Sequence, residues 1–571
     1  MNPTQLKRLV DVAAGREEAD LLLRPSAVAN VFTGELEQAD IAIVEGLVAA
    51  VGRGYKAREV HEVSGVAVPG LVEGHVHVES SMMCPGQLAA AVAVRATAGI
   101  VADPHEIANV MGLEGVKMML EASRGVPVEY YFTAPSCVPA SHLQQAGAQL
   151  GPEQLAEMAS WEGIVALGEV MNFPGVVNGD ETMMAKLGAW GEGLMDGHSP
   201  GLGGAGLNAY IAAGPESDHE CVQADEARQK LARGMWIMLR EGSAAANLEA
   251  LAPIVTPFTE RRCMLVSDDL HPLTILEAGH MDRLVRRAIE VGIEPMAALR
   301  MASLNPARRF GLRRLGAIAP GYKAHIAIVD GLKSFNVLRV YHSGQLVAEE
   351  GNYLGPSPAP WPSGSRSSVH IAPLQERSFT CKPTSPKARV IGLVPGQILT
   401  THEIHPCPTA NGMLAADPSK DIALLAVVER HRASGRIGRG LVRGLGLREG
   451  ALATTVAHDC HNLLVAGIEP GSMLTAATAV AEAGGGMAVA VGERVIKLVK
   501  LPIAGLMSEL EAAQLGRELE ALARAAKEVC SHPEPFMALS FLALEVIPEL
   551  KITDKGLVDV GRFRHVELFV E

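Results

Sequence analysis

Aromatic residues make up only 4 % of this sequence, although hydrophobic residues reach 48 %. Its apolar content is therefore aliphatic and small, which suits an α/β protein with many turns. The eight cysteines are scattered from Cys84 to Cys530 with no CxxC pair. That spacing excludes a dense disulfide framework and fits a reducing compartment. No run of about 20 apolar residues occurs, so no membrane span is expected. The N-terminal stretch mixes both charge signs and lacks the apolar core of a signal peptide, so the expected location is the cytoplasm. An excess of basic charge is also missing. The formal net charge of −14 argues against a nucleic-acid partner, which would need a basic footprint.

What is present is length, glycine and proline. A chain of 571 residues with 59 Gly and 34 Pro is too long for one ordinary core and predicts two or three domains. Residues 1–18 read as a charged helical lead-in. Residues 19–68 then break into short β-type runs such as ADLLLRP and ADIAIVEG, and 321–352 has the same character. These two stretches are expected to form one composite β-sandwich domain. Between them, over 69–320, short apolar strands alternate with amphipathic segments, as in RCMLVSDD followed by ILEAGHMDRLVRRAIEVG. Strand-then-helix order over about 250 residues is the pattern of a parallel (β/α)8 barrel. The rival doubly wound sheet would show a Gly-rich phosphate turn after its first strand, and none is present. The run GPSPAPWPSGSRSS marks a linker at 353–368. Beyond it, 369–571 reads as a separate α/β unit with a long helix at about 508–529.

The strongest local signal is VAVPGLVEGHVHVESS, where His75 and His77 stand two apart at the end of an apolar strand. Residues i and i+2 of a strand share a face, so both imidazoles can enter a barrel mouth and grip one metal ion. The plainer reading makes one of them a hydrogen-bonded core histidine. Further along come Glu169 in VALGEVMNFPG, His198 in MDGHSPG, His219 in SDHE and Asp268 in LVSDD. Each has a structural reading of its own: Asp268 can cap a helix and His198 can brace a turn. Catalytic groups of a barrel come from the C-terminal ends of different strands, so their wide separation is expected.

The order HxH, strand-four carboxylate, His, His, Asp resembles the amidohydrolase superfamily of metallo-dependent hydrolases. The surrounding words GHVHVESSM, ADPHEIANV, ALGEVMNFPGV, DGHSPGLGGAGLNAYIAAG, REGSAAANL, AHDCHNLLVAG and KLPIAGLMS are similar to its adenine deaminase family, from about residue 20 to the C-terminus. The resemblance implies a TIM-like barrel, a small β-sandwich and an extra C-terminal domain. It also implies hydrolysis of adenine to hypoxanthine and ammonia, with metal-activated water attacking C6. His75 and His77 would bind one divalent ion and His198 and His219 another, with Glu169 bridging and Asp268 completing the first site. Mn, Fe or Zn would suit these donors, and a homo-oligomer is expected.

Asp268 is expected to move the proton, with Glu169, or else Glu220, supplying N1 of the ring. His105, Glu106, Glu220 and Asn208 are candidate purine contacts, as are Ser80 and Ser81. His458, Asp459, His461 and Asn462 resemble a metal site or a lid over the barrel. Two departures from the family's usual words stand out. Leu270 replaces an arginine near the expected site, and His325 replaces an acid in the β-sheet region. Deamination of a modified adenine, ring opening of a cyclic amide, and a non-catalytic purine-binding protein are the competing readings.

Overall fold

The computed structural model describes residues 1–243, 245–362, 368–395 and 397–571. Within the expected linker, residues 363–367 lie outside the described ones. Eight short strands follow one another through the middle of the chain: β1 (Leu71–Val76), β2 (Thr97–Ala102), β3 (Glu129–Ala134), β4 (Ile164–Val170), β5 (Met195–Gly197), β6 (Ser217–Asp218), β7 (Trp236–Arg240) and β8 (Cys263–Val266). β1 to β5 form one parallel sheet and β6 to β8 another. Two seams join them. Glu216 donates its N–H to the Met195 carbonyl at 3.1 Å beside β5, and Asp268 donates to the His75 carbonyl at 3.0 Å beside β1. The expected barrel architecture therefore holds.

β1 and β2 are buried along their whole length. Parallel strands covered on both faces need no polar alternation, and this is why they read as continuous apolar runs. Inside the ring, Val72, Val101, Ala166, Met238, Met264 and Val266 pack as a plug. Gly74 belongs to the same layer. A Cβ there would stand 2.9 Å from the Met264 sulfur, so the residue before His75 has no room for a side chain.

Residues on either side of the barrel pair with each other. Ile326–Val329 runs antiparallel to Val66–Pro69 with Ile326 opposite Pro69, inside a seven-stranded sheet. Gly70 then donates to the His325 carbonyl at 2.8 Å, which ties the start of β1 to that sheet. A four-stranded sheet packs nearby, and the first helix, α1 (Pro3–Ala13), is opened by a capping box of Asn2 and Gln5.

The last third is built on a large mixed sheet crossed by the helix Pro470–Glu482. Its strand Ile422–Val428 shows the period of two directly. Leu424, Ala426 and Val428 enter one apolar cluster, while Ala423, Leu425 and Val427 enter another that also holds Val76, Leu88 and Ile100 of the barrel. One face of this sheet thus shares a core with the barrel. The long helix runs from Ala512 to Val529, later than the sequence predicts. Ser508 is instead extended, accepting from the Cys84 N–H at 3.1 Å and donating to the Met82 carbonyl at 2.8 Å. None of the helices among the described residues is long and apolar enough to cross a membrane.

A polar joint reinforces the shared core. Gln144 donates to the Ala543 carbonyl at 3.1 Å and to Glu545 at 2.9 Å, and Ser141 donates to the other Glu545 oxygen at 2.5 Å. Burial pushes the Glu545 carboxyl up to about 7, while Ser141 and Gln144 pull it back. Replacing Gln144 with Ala removes three buried hydrogen bonds, the third accepted from Asn462 at 3.3 Å, and is expected to cost about 1–3 kcal/mol in urea unfolding. The same change at exposed Gln149 should stay within about 0.5 kcal/mol.

Candidate metal centre and active site

Five strand ends bring six side chains to one point. His75 lies in β1 and His77 just beyond it, Glu169 lies in β4, and His198, His219 and Asp268 follow β5, β6 and β8. Glu169 is the centre. One of its oxygens lies 3.3 Å from His75 Nε2 and 3.1 Å from His77 Nε2. The other lies 2.8 Å from His198 Nδ1 and 3.3 Å from His219 Nε2. Asp268 adds an oxygen 3.0 Å from His77 Nε2 and 3.6 Å from His75 Nε2. All six are buried except His198, which is half-buried.

These atoms fit divalent cations. Donors bound to one ion at about 2.0–2.2 Å stand roughly 3 Å from one another, which is the spacing found here. His75, His77 and Glu169 form one such group, and Glu169, His198 and His219 form a second. His75 Nε2, His219 Nδ1 and one Glu169 oxygen are buried with no hydrogen-bond partner, an arrangement that costs free energy unless something else meets them. His77 donates from Nδ1 to the Asp103 carbonyl at 3.0 Å, and this leaves Nε2 as the lone-pair donor. Burial works against charge at Glu169 and Asp268, yet the surrounding imidazoles, with Arg240 beside Asp268, hold both carboxyls well below their usual range. Burial likewise opposes charge on His75, but Glu169 and Asp268 outweigh it and push the imidazole up to about 10. The pocket is therefore set for positive charge.

Several supports escaped the sequence reading. Glu73, buried beneath the cluster, accepts from the backbone of His75 at 3.1 Å and of Ser267 at 3.1 Å. It joins β1 to β8 under the site. Asp103 accepts from the Glu169 N–H at 2.9 Å and the His105 N–H at 3.1 Å. Arg240, at the end of β7, donates to Asp268 at 2.7 Å and forks onto Glu220. The available signal was its place, a charge closing the apolar strand WIML.

The structure sorts the candidate contacts. His105 packs edge-on against His77 at 4.6 Å and lies 3.7 Å from Glu169. Glu106 faces His458 Nδ1 at 2.9 Å. Glu220 lies 3.6 Å from His219. Asn208 is not brought to the cluster. It sits on the exposed side of the helix Gly204–Ala212, whose inward positions are Leu207 and Tyr210, and it accepts from Arg233 at 3.0 Å. Ser80 donates to Asp269 at 2.5 Å, and Ser81 turns back to the Val78 carbonyl. Leu270 is buried in the apolar cluster with Val76, Val78 and Met82, a packing position. His325 packs on His342 at 4.1 Å and faces Glu129 at 3.3 Å, in the β-sheet region. Both Glu169 oxygens face imidazoles.

Replacing Arg240 with Met leaves Asp268 and Glu220 without their shared counter-charge. Unfolding in denaturant should show a loss of about 3–5 kcal/mol. Arg240→Lys should recover only part of it, because one ammonium cannot fork between two carboxylates.

The amidohydrolase family matches residues 66–347, and the adenine deaminase C-terminal domain matches residues 397–564. An adenine deaminase of Desulfatibacillum aliphaticivorans is 47 % identical over 565 residues, covering 98 % of this chain and 99 % of its own. One from Methanothrix thermoacetophila is 45 % identical over 571 residues, covering 99 % and 100 %. Adenine deaminase 2 of Carboxydothermus hydrogenoformans is 44 % identical over 561 residues, with 98 % of each chain covered. With relatives this similar along both chains, and with a barrel that gathers the histidines and carboxylates of its strand ends around Glu169, this chain belongs to the adenine deaminase family of amidohydrolases.

Proposed function

We propose that this chain hydrolyses adenine to hypoxanthine and ammonia at the cluster around Glu169, with two divalent ions per chain. The observation that carries the reading is the shared carboxylate, one oxygen facing His75 and His77 and the other facing His198 and His219. His75, His77 and Asp268 would hold one ion and His198 and His219 the other, with Glu169 facing both groups. When bound, such ions supply Lewis acidity and bring the pKa of a water towards about 7. Histidine and carboxylate donors suit Mn or Fe, and Zn as well.

Asp268 is the proton carrier. Arg240 holds one of its oxygens and the other faces His77 and His75; these neighbours keep the carboxylate ionised and so able to take up a proton. It takes the first proton of the attacking water as the new C–O bond forms at C6, and returns it to N1 of the ring. It then takes the hydroxyl proton and passes it to the amino group, which leaves as ammonia while the C6 carbonyl forms. Both protons of the water are accounted for, and no separate donor is required. His105 and Glu106 lie beside the cluster as contacts for the ring.

Metal-free protein reloaded with Mn, Fe or Zn should release ammonia from adenine, with activity rising to about two ions per chain. Asp268→Asn should lower turnover by about 10²–10⁴-fold. Silence on adenine with turnover of dihydroorotate or a 6-modified purine would move the reading to that substrate.

A further inference from the structure

The barrel and the C-terminal domain enclose a cavity that none of the six residues around Glu169 lines. Its volume is about 360 Å³, within the range that holds a small organic ligand. Segments after β3 and β4 supply His142, Asp180 and Lys186, and the C-terminal domain supplies Arg432, Lys555 and Phe563. The joint between the domains holds it in shape. Asn462, in the loop that Arg430 fixes through the His461 carbonyl, donates to the Gln145 carbonyl at 2.9 Å. Lys555 donates to the His142 carbonyl at 2.8 Å.

The charge of this lining is unlike that of the chain. The protein carries −14 overall, yet Lys186, Arg432 and Lys555 meet here with Asp180 as the one acid. Asp180 is engaged as a helix cap, accepting the Met183 N–H at 2.9 Å. Among the described residues, none of the three cations has a carboxylate at ion-pair distance. Lys186 is 7 % exposed, and its Nζ makes one hydrogen bond, to the Ser136 carbonyl at 2.9 Å. Two of its three N–H groups are left over. Burial pulls this ammonium below the usual lysine range. A buried charge without a counter-charge is costly, so an anion that reaches Lys186 is favoured. It has a way in, because His142, Arg432 and Lys555 are exposed.

A phosphate monoester matches three cations, since it carries close to two negative charges at neutral pH and three strong acceptor oxygens. The cavity is larger than a phosphate alone needs, and the lining indicates what the rest is. Phe563, 45 % exposed, stands edge-on to His142 with ring centroids 5.7 Å apart. Aromatic surface is thus open beside the cations, and it suits a planar ring.

We propose that this cavity binds a phosphate monoester bearing a planar ring, the chemistry of a nucleoside monophosphate. The phosphate meets Lys186, Arg432 and Lys555, and the ring lies against Phe563. Lys186 also ties the site to the metal centre. The Ser136 carbonyl accepts from it, and Ser136 Oγ donates to the Glu169 carbonyl at 2.5 Å. The bound phosphate is thereby linked to the strand end that carries Glu169.

Calorimetric titration of the metal-loaded protein with AMP, ribose 5-phosphate, inorganic phosphate and adenosine tests this. AMP should bind most tightly, and adenosine about 10–100-fold more weakly for want of the phosphate. Arg432→Glu and Lys555→Glu, both at exposed positions, should each raise the AMP Kd by about 10–100-fold, as should Lys186→Met. Phe563→Ala should bring AMP down to the affinity of ribose 5-phosphate. Lys333→Glu makes the same charge change at an exposed lysine elsewhere and should leave AMP binding unchanged. Binding needs no turnover, so the deamination reading and this one fail separately. No AMP binding at millimolar concentration, or AMP binding unaltered in every lining variant, would overturn the proposal. An equal loss in Lys333→Glu would overturn it as well, by showing general attraction between charges. Inorganic phosphate binding as tightly as AMP would overturn the part assigned to the ring.

Discussion

A single buried carboxylate, Glu169, faces four imidazoles at the centre of the barrel, and the rest of the site is arranged around that fact. A carboxylate removed from water is costly unless charge and hydrogen bonds surround it. Here each oxygen meets two ring nitrogens, and the backbone N–H of Glu169 is fixed by Asp103. The barrel makes this possible. Only a closed ring of parallel strands delivers side chains from β1, β4, β5, β6 and β8 to one place without asking any of them to be near the others in sequence.

Rigidity comes from the polar groups behind the six central residues. Glu73 joins the backbones of His75 and Ser267. Asp268 itself closes the barrel through its N–H, donated to the His75 carbonyl, and it holds a left-handed backbone with φ of 58°. Non-glycine residues rarely adopt that conformation, and Arg240 and the β1 seam retain it. The residue that moves protons in our account is thus also one that closes the fold. The C-terminal domain extends the same logic upward, with Arg430 and Asn462 holding a wall of polar atoms over the mouth.

Much of this was legible in the sequence, for physical reasons that differ by residue. His75 and His77 were readable because a strand repeats every two residues. Glu169, His198, His219 and Asp268 were readable because each follows a short apolar run, where a barrel strand ends. Asp103 and Arg240 were harder, since their partners lie far along the chain and no local period encodes such pairings. Asn208 was a candidate purine contact, but helical periodicity turns it outward and buries Leu207 and Tyr210 instead. The approach of residues 457–462 to the barrel depends on the shared core between two separate sheets, which no stretch of sequence displays.

The central claim is that Glu169 spans two cation sites, and metal analysis of Glu169→Gln after saturation with Mn and removal of loose ions tests it most directly. The account predicts about two ions per chain in the wild type and no more than about one in the variant, because both sites lose a charged donor together. Retention of the full wild-type metal content by a folded Glu169→Gln protein would contradict it.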